Sequence, residues 1–344
     1  MPQRIRIGIV GAGFGSRSHL PALLAHPAFE VVALASPSSA AAIAKERGIP
    51  HAFRSCDEMV NGGDLDAVTV ASPPFAHRDD VLAALGAGRH VLCEKPFALD
   101  VTQAQEMLEA SRRAGTACGV AHEFRWVPAR QAIKELIVNG HLRPLREIEI
   151  TQLTDFLRLQ GDRARGWWFE RSRGGGIAGA LLSHIIDTSN WFAGRPPVRS
   201  VGMLRTANPA RHDARGAFRS DVDDGAFALL DYGDGLVARL CADAATAQSA
   251  VTVAVHGENR TAVESGSNFI QTTLYSVDAD ETAELQCRPS PYARFAAVGQ
   301  SIPLLMELYD QFAAAIAGKP NQLPTFAEAV ETQKVLASVG YGNS

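Results

Sequence analysis

The chain has 344 residues, 46% hydrophobic and 20% charged, with a formal net charge of −4. That length suits two globular domains, and the mild negative charge provides no basic field for a nucleic-acid backbone, so DNA and RNA are not expected partners. Cys56, Cys93, Cys118, Cys241 and Cys287 are scattered and form no CxxC pair, which argues against a disulfide framework and a zinc ribbon. The histidines are equally dispersed and lack ligand spacing, so no metal is expected. No signal core follows Met1 and no apolar run reaches about eighteen residues. A cytoplasmic protein without a membrane partner is the expectation.

Residues 5–10 form a continuous apolar run, as in a strand buried on both faces of a parallel sheet. Residues 31–35, 67–71, 90–93 and 117–121 repeat the pattern. Helical stretches at 39–47, 77–85 and 101–114 lie between them, with Gly48, Gly86, Gly88 and Gly115 as helix-ending glycines. Alternating β and α with short joins predicts a doubly wound parallel sheet over residues 1–122. Beyond residue 122 the rhythm changes. Strand-like runs follow one another at 145–153, 198–205, 226–232, 236–242, 251–257, 269–276 and 281–287, and Tyr232-Gly233-Asp234-Gly235 is a hairpin signal. Residues 123–344 therefore read as an α+β domain with a large, mostly antiparallel sheet. Helices at 303–317 and 326–339 close the chain and could pack back toward the first domain. Residues 208–224, rich in Arg, Asp and Gly, read as a long surface loop.

The turn after the first strand carries Gly11, Gly13, Phe14, Gly15 and Ser16. Gly11 allows a tight turn, Gly13 lets the backbone approach a pyrophosphate, and Ser16 fills the third small position. The N–H groups at the following helix start then hold phosphate. A merely structural turn is the alternative. The second strand runs into Ser36-Pro37-Ser38-Ser39, with no acid to bond a ribose 2′-hydroxyl and repel a 2′-phosphate. That leans toward NADP over NAD; equally, Ser38 and Ser39 could simply cap the next helix. The fourth strand ends in Ala71, Ser72 and Pro73, placed to touch the ribose or nicotinamide side, with His77 at the start of the next helix. The fifth strand stops at Glu94-Lys95-Pro96, where proline drives Lys95 out of helical conformation. A lysine held at a strand end can bond a substrate hydroxyl, and Glu94 can pair with it or orient the cofactor side. The alternative is a surface ion pair.

In the second domain, Gly174-Gly175-Gly176 precedes a helix on which Ala180, His184, Asp187 and Trp191 share a face at spacings of four, three and four. Trp167 and Trp168 precede the triplet, with Arg163, Arg165, Arg171 and Arg173 nearby. Flat aromatic faces suit sugar C–H surfaces and arginines suit acidic groups, although loop packing explains any one of them as well.

Gly11-x-Gly13 with His19, Ser72-Pro73-Pro74 with His77, and the run from Gly88 through Glu94-Lys95-Pro96 together resemble the glucose–fructose oxidoreductase / inositol dehydrogenase (Gfo/Idh/MocA) family. The resemblance implies a Rossmann domain, a second domain with an open antiparallel sheet that serves as an oligomer interface, and a nicotinamide cofactor. It implies sugar, sugar-derivative or cyclitol substrates, and a homodimer or homotetramer. His184 matches the family's catalytic histidine and Arg125 its usual arginine. Many members carry aspartate where this chain has Ala180, and asparagine where it has Glu123. The expected catalytic pair is Lys95 and His184. The expected cofactor set is Gly11, Gly13, Phe14, Gly15, Ser36, Ser38, Ser39, Ala71, Ser72, Pro73, His77, Glu94, Lys95 and Arg125. Glu123, Trp167, Trp168 and Asp187 join Lys95 and His184 as expected substrate contacts. Hydride transfer at a hydroxyl-bearing carbon is the expected reaction. A cofactor-recycling lyase or glycosidase and a catalytically silent sensor are the alternatives.

Overall fold

The computed structural model describes residues 4–158, 164–269 and 271–342. The chain divides into two compact units, 1–123 with 290–330, and 124–289 with 331–344.

The first unit is built on a six-stranded parallel sheet: Ile5–Val10 (β1), Phe29–Ala35 (β2), His51–Phe53 (β3), Ala67–Val70 (β4), His90–Cys93 (β5) and Cys118–Val120 (β6). Their order is β3-β2-β1-β4-β5-β6, the Rossmann arrangement, whose strand order reverses between β1 and β4. Val, Ile and Leu fill β1, β2, β4 and β5 because helices cover both faces. The short β3, and the helix Cys56–Gly62 after it, escape the sequence pattern. The helix start is marked only by Ser55, whose hydroxyl accepts the Glu58 N–H at 3.1 Å.

Register decides what this sheet presents. Val10 pairs with Ala35 and Val70, Val70 with Cys93, and Cys93 with Val120. The strands end level, and one further backbone bond extends each: Gly11 N–H to Ala35 O, Ala71 N–H to Val10 O, Glu94 N–H to Val70 O and Ala121 N–H to Cys93 O, at 2.8–2.9 Å. Gly11, Ser36, Ala71 and Glu94 thus begin one carboxyl edge. Helix Ile302–Ile316 belongs to this unit. Its Phe312 stacks on Phe29 of β2, and the backbone of Pro324 accepts the Val120 N–H at 2.8 Å, covering the β6 edge.

The second unit holds an eight-stranded sheet of Leu145–Leu153 (β7), Arg199–Arg205 (β8), Gly225–Asp231 (β11), Val237–Asp243 (β12), Ala250–Gly257 (β13), Thr261–Gly266 (β14), Thr272–Val277 (β15) and Thr282–Leu285 (β16). The hairpin Ala210–Asp213 (β9) and Gly216–Arg219 (β10) stands apart from it. Within the eight-stranded sheet only β7 and β12 pair in parallel. Alternation sends Ile148, Ile150, Leu230, Leu240, Val253 and Val255 to one buried face, against helices Pro128–Val138 and Ser183–Ala193. The opposite face leaves Val201, Met203, Leu229 and Val237 exposed by 42–59%.

The β9–β10 hairpin corrects the expectation of a long loop over 208–224. Arg165 bonds Asp213 through Nε and Nη2 at 3.2 and 3.0 Å. The Asp224 carboxylate accepts the N–H groups of Ala207 and Asn208. The charged residues that suggested a solvated loop bond to one another. β14 was also absent from the predicted strands, because Thr, Glu, Ser and Gly interrupt its apolar pattern.

Candidate active site

The glycine turn has one rigid and one open position. Gly11 has φ +104°, and a Cβ there would lie 2.2 Å from the Ala71 carbonyl oxygen. Only glycine lets β1 turn this tightly beside β4. A Cβ on Gly13 would meet no protein atom within 4 Å, so the backbone there is open to a ligand. The chain then enters a π-helical turn, Gly15–His19, which runs into Leu20–Ala25. Gly15 is buried against Ile9 and Ala71. Open backbone at a helix start suits a pyrophosphate. At the end of β2, Ser39 occupies the N-cap of Ala40–Arg47 but makes no side-chain cap bond. Its hydroxyl lies 3.0 Å from that of Ser36, while Ser38 is exposed.

Two turns farther along the edge are joined by a buried histidine. His77 Nε2 lies 2.8 Å from the Ser72 carbonyl and Nδ1 lies 3.0 Å from the Pro96 carbonyl. It ties the β4 turn to the Lys95-Pro96 turn, and burial lowers its basicity. Ser72 donates to Asp80 at 2.6 Å, and burial pushes that carboxyl up to about 6.

Lys95 is half-buried, its Nζ 5.7 Å from the centroid of the Phe14 ring. Glu94 is 5% exposed. Burial pushes its carboxyl up, but the His19 hydrogen bond and the Lys95 charge outweigh burial and leave it below its ordinary value. Glu123 is also buried, and burial followed by the negative charge of Glu94 pushes it up to about 8, with Lys95 opposing. At neutral pH the edge therefore carries one ionised and one protonated carboxyl.

In the second unit, Arg125 donates to Asp187 from Nε at 2.8 Å and from Nη2 at 2.7 Å, a bidentate pair with both members almost fully buried. This engages both oxygens of Asp187, an expected substrate contact on the helix face of His184. The buried His184 ring stacks on Phe124 with centroids 4.0 Å apart and planes 14° apart. On Phe124, in turn, lies the guanidinium of Arg130 at 5.3 Å. The segment Ala178–Leu182 is a π-helical turn that feeds the α-helix Ser183–Ala193. The spacing from Ala180 to His184 therefore spans a widened turn, which α-helical periodicity does not anticipate. The Asp223 carboxylate holds its start by accepting the Ala178 N–H at 2.6 Å.

Trp168 is buried against Phe169 and Phe156, while Trp167 is half-buried. Arg165 is bonded to Asp213 and Arg171 to Asp221, so both guanidinium groups have internal partners. Arg163 lies outside the described residues. Sequence reasoning gave no role to His19, Tyr309, Phe124, Arg130 or Glu264. His19 stood in a matching motif; the others sit in ordinary helical or strand patterns and carry no local signal.

Two family models match this chain. One is the Gfo/Idh/MocA oxidoreductase family with an NAD-binding Rossmann fold, over residues 5–122; the other is the Gfo/Idh/MocA C-terminal domain, over residues 130–263. An uncharacterised oxidoreductase of Synechocystis sp. is 35% identical over 199 residues, 57% of this chain and 53% of that protein, so this match spans about half of that relative's length. The 1,5-anhydro-D-fructose reductase of Ensifer adhaerens is 33% identical over 259 residues, 73% of each chain. A levoglucosan dehydrogenase solved with NADH and L-sorbose superposes with a TM-score of 0.85 at 22% identity, covering 98% of this chain and 96% of that one, a likeness of fold. On the two domain matches and the reductase relative, this chain belongs to the Gfo/Idh/MocA oxidoreductase family.

Proposed function

We propose that this protein is a nicotinamide-dependent dehydrogenase or reductase acting on a hydroxyl-bearing carbon of a sugar, sugar derivative or cyclitol. The observation that carries the reading is Lys95. Its ammonium lies over Phe14 of the glycine turn, at the end of a strand whose neighbours present an open phosphate-binding backbone. The similarity to a 1,5-anhydro-D-fructose reductase and to a levoglucosan dehydrogenase supports the substrate class.

Gly11, Gly13, Phe14 and Gly15 would hold the pyrophosphate, and Ala71, Ser72, Pro73, Glu94 and Lys95 the nicotinamide side. Ser36, Ser38 and Ser39 would receive the adenosine ribose. With no acid among them and the Ser39 hydroxyl not engaged as a helix cap, they favour NADP. Bound nicotinamide supplies the hydride acceptor or donor. Lys95 donates a hydrogen bond to the substrate oxygen and stabilises its negative charge. His184 takes the hydroxyl proton during oxidation and returns it during reduction. Glu123, protonated at neutral pH, donates to a second substrate hydroxyl. The exposed apolar face of Val201, Met203, Leu229 and Val237 supports a homodimer or homotetramer.

An absorbance assay at the reduced-nicotinamide band over a panel of sugars and polyols tests the reading, with product analysis in parallel. Turnover with net change in that band is expected. Turnover without it would favour a recycling lyase, and none on any substrate would favour a sensor. Thermal shifts with NADP and NAD compared decide the cofactor. Light scattering of wild type against Leu229→Lys decides whether the sheet face assembles.

A further inference from the structure

We infer that His19 and Tyr309 are positioning residues for Lys95, acting through Glu94 so that the cofactor turn and the reactive lysine are held as one unit. This rests on the catalytic reading of Lys95 above.

The observation is a closed ring of contacts. His19 Nε2 lies 2.8 Å from Glu94 Oε1. The other oxygen, Oε2, accepts the Lys95 backbone N–H at 3.2 Å. The Lys95 ammonium lies over Phe14, and the Phe14 ring meets His19 edge-on, with centroids 5.5 Å apart and planes at 80°. Phe14 and His19 flank and end the π-helical turn after Gly13, so the ring joins the phosphate-binding backbone to the lysine turn. His19 is anchored from outside as well. Its Nδ1 lies 2.7 Å from the Tyr309 hydroxyl, which lies 3.0 Å from Thr69 Oγ1 of β4. Tyr309 comes from helix Ile302–Ile316, 290 residues away in sequence. His19 and Tyr309 are 0% exposed and Thr69 is 0% exposed.

The direction of the first hydrogen bond follows from its acceptor. Ionised Glu94 can only accept, so Nε2 of His19 carries a proton. Nδ1 and the Tyr309 hydroxyl share a second hydrogen bond, and the Tyr309 and Thr69 hydroxyls a third. Every member of the chain has a partner. A buried carboxylate that is bonded on both oxygens does not rotate. It therefore fixes the backbone from which the Lys95 side chain departs. Without His19, Glu94 would keep its bond to the Lys95 N–H but lose the partner that holds its other oxygen, and the turn that carries Lys95 would be less firmly placed. Misplacement of a reacting group lowers turnover rather than binding.

The test separates the two ring nitrogens. In His19→Gln the amide N–H reaches the place of Nε2 and can still serve Glu94; in His19→Asn it reaches only the level of Nδ1. Tyr309→Phe removes one hydroxyl and leaves the packing intact. kcat and KM are measured on whichever sugar or polyol of the panel turns over, and cofactor Kd by fluorescence titration. His19→Gln is expected to keep about a third or more of kcat, and His19→Asn to lose about tenfold or more, with KM and Kd within about twofold. Tyr309→Phe, which like His19→Gln loses only the Nδ1 bond, is expected to lose about twofold to threefold in kcat alone. Equal effects of the two His19 variants, a loss of cofactor affinity in place of kcat, or full kcat in Tyr309→Phe would overturn the inference. Should the His19 variants fail to fold by circular dichroism, Tyr309→Phe decides alone. Lys95→Met is the control. Full turnover there overturns the role of Lys95 itself, whereas an inactive Lys95→Met beside indifferent His19 and Tyr309 variants overturns only this inference.

Discussion

Replacing Arg130 with methionine should cost far more stability than removing both members of its ion pair. Arg130 Nε lies 3.2 Å from Glu264 Oε2, and both side chains are 0% exposed. Among the described residues, neither Arg130 Nη1 and Nη2 nor Glu264 Oε1 has a hydrogen-bond partner. At an effective dielectric constant near 20, such a contact yields about 5 kcal/mol of attraction, and most of that only offsets the desolvation of two ions. The pair is therefore worth little net, while each half alone is a buried charge without its counter-ion. Arg130→Met or Glu264→Leu should each destabilise by about 3–5 kcal/mol, and the double variant by about 1 kcal/mol or less. Urea unfolding followed by circular dichroism at pH 7, with cofactor absent, gives all four corners of the cycle. Additive single effects would refute the reasoning, as would a single variant costing less than about 1 kcal/mol. The cycle also bears on the site, because the same guanidinium lies over Phe124, on which His184 stacks.

Lys95→Met and His184→Ala should each cut kcat by about a hundredfold or more, with cofactor Kd nearly unchanged in fluorescence titration. Gly13→Ala should fold with an unchanged thermal midpoint, since its Cβ meets no protein atom within 4 Å, yet bind cofactor about tenfold more weakly in calorimetry because the methyl occupies phosphate space. Glu123 makes stability fall as pH rises. Its carboxyl sits at about 8 when folded against an ordinary value of 4.5, so between these values the folded state holds a proton that the unfolded state has released. The penalty is absent below about 4.5 and complete above about 8; Glu123→Gln should flatten the thermal midpoint between pH 5 and 8, and an unchanged slope would contradict it.

Much of the first unit was legible because its information is local. Uninterrupted Val, Ile and Leu runs identify strands covered on both faces, glycines end the helices, and Glu94-Lys95-Pro96 stops a strand in a charged turn. The second unit was legible in outline only. β14 hides its pattern behind Thr, Glu and Ser, and the β9–β10 hairpin is stabilised by Arg165 and Asp213, which lie 48 residues apart. Local composition cannot distinguish paired charges from solvated ones.

The sequence by itself determined the fold class, the glycine turn, the lysine at its strand end and the histidine on its helix. Each depends on residues within a few positions of one another, where backbone conformation and side-chain periodicity operate. Tertiary structure alone decided which groups those residues meet. Asp187 meets Arg125 through both oxygens, His184 lies flat on Phe124, and Tyr309 reaches His19 from the far end of the chain. Burial and long-range hydrogen bonds set those partnerships, and with them whether Glu94 and Glu123 carry a proton.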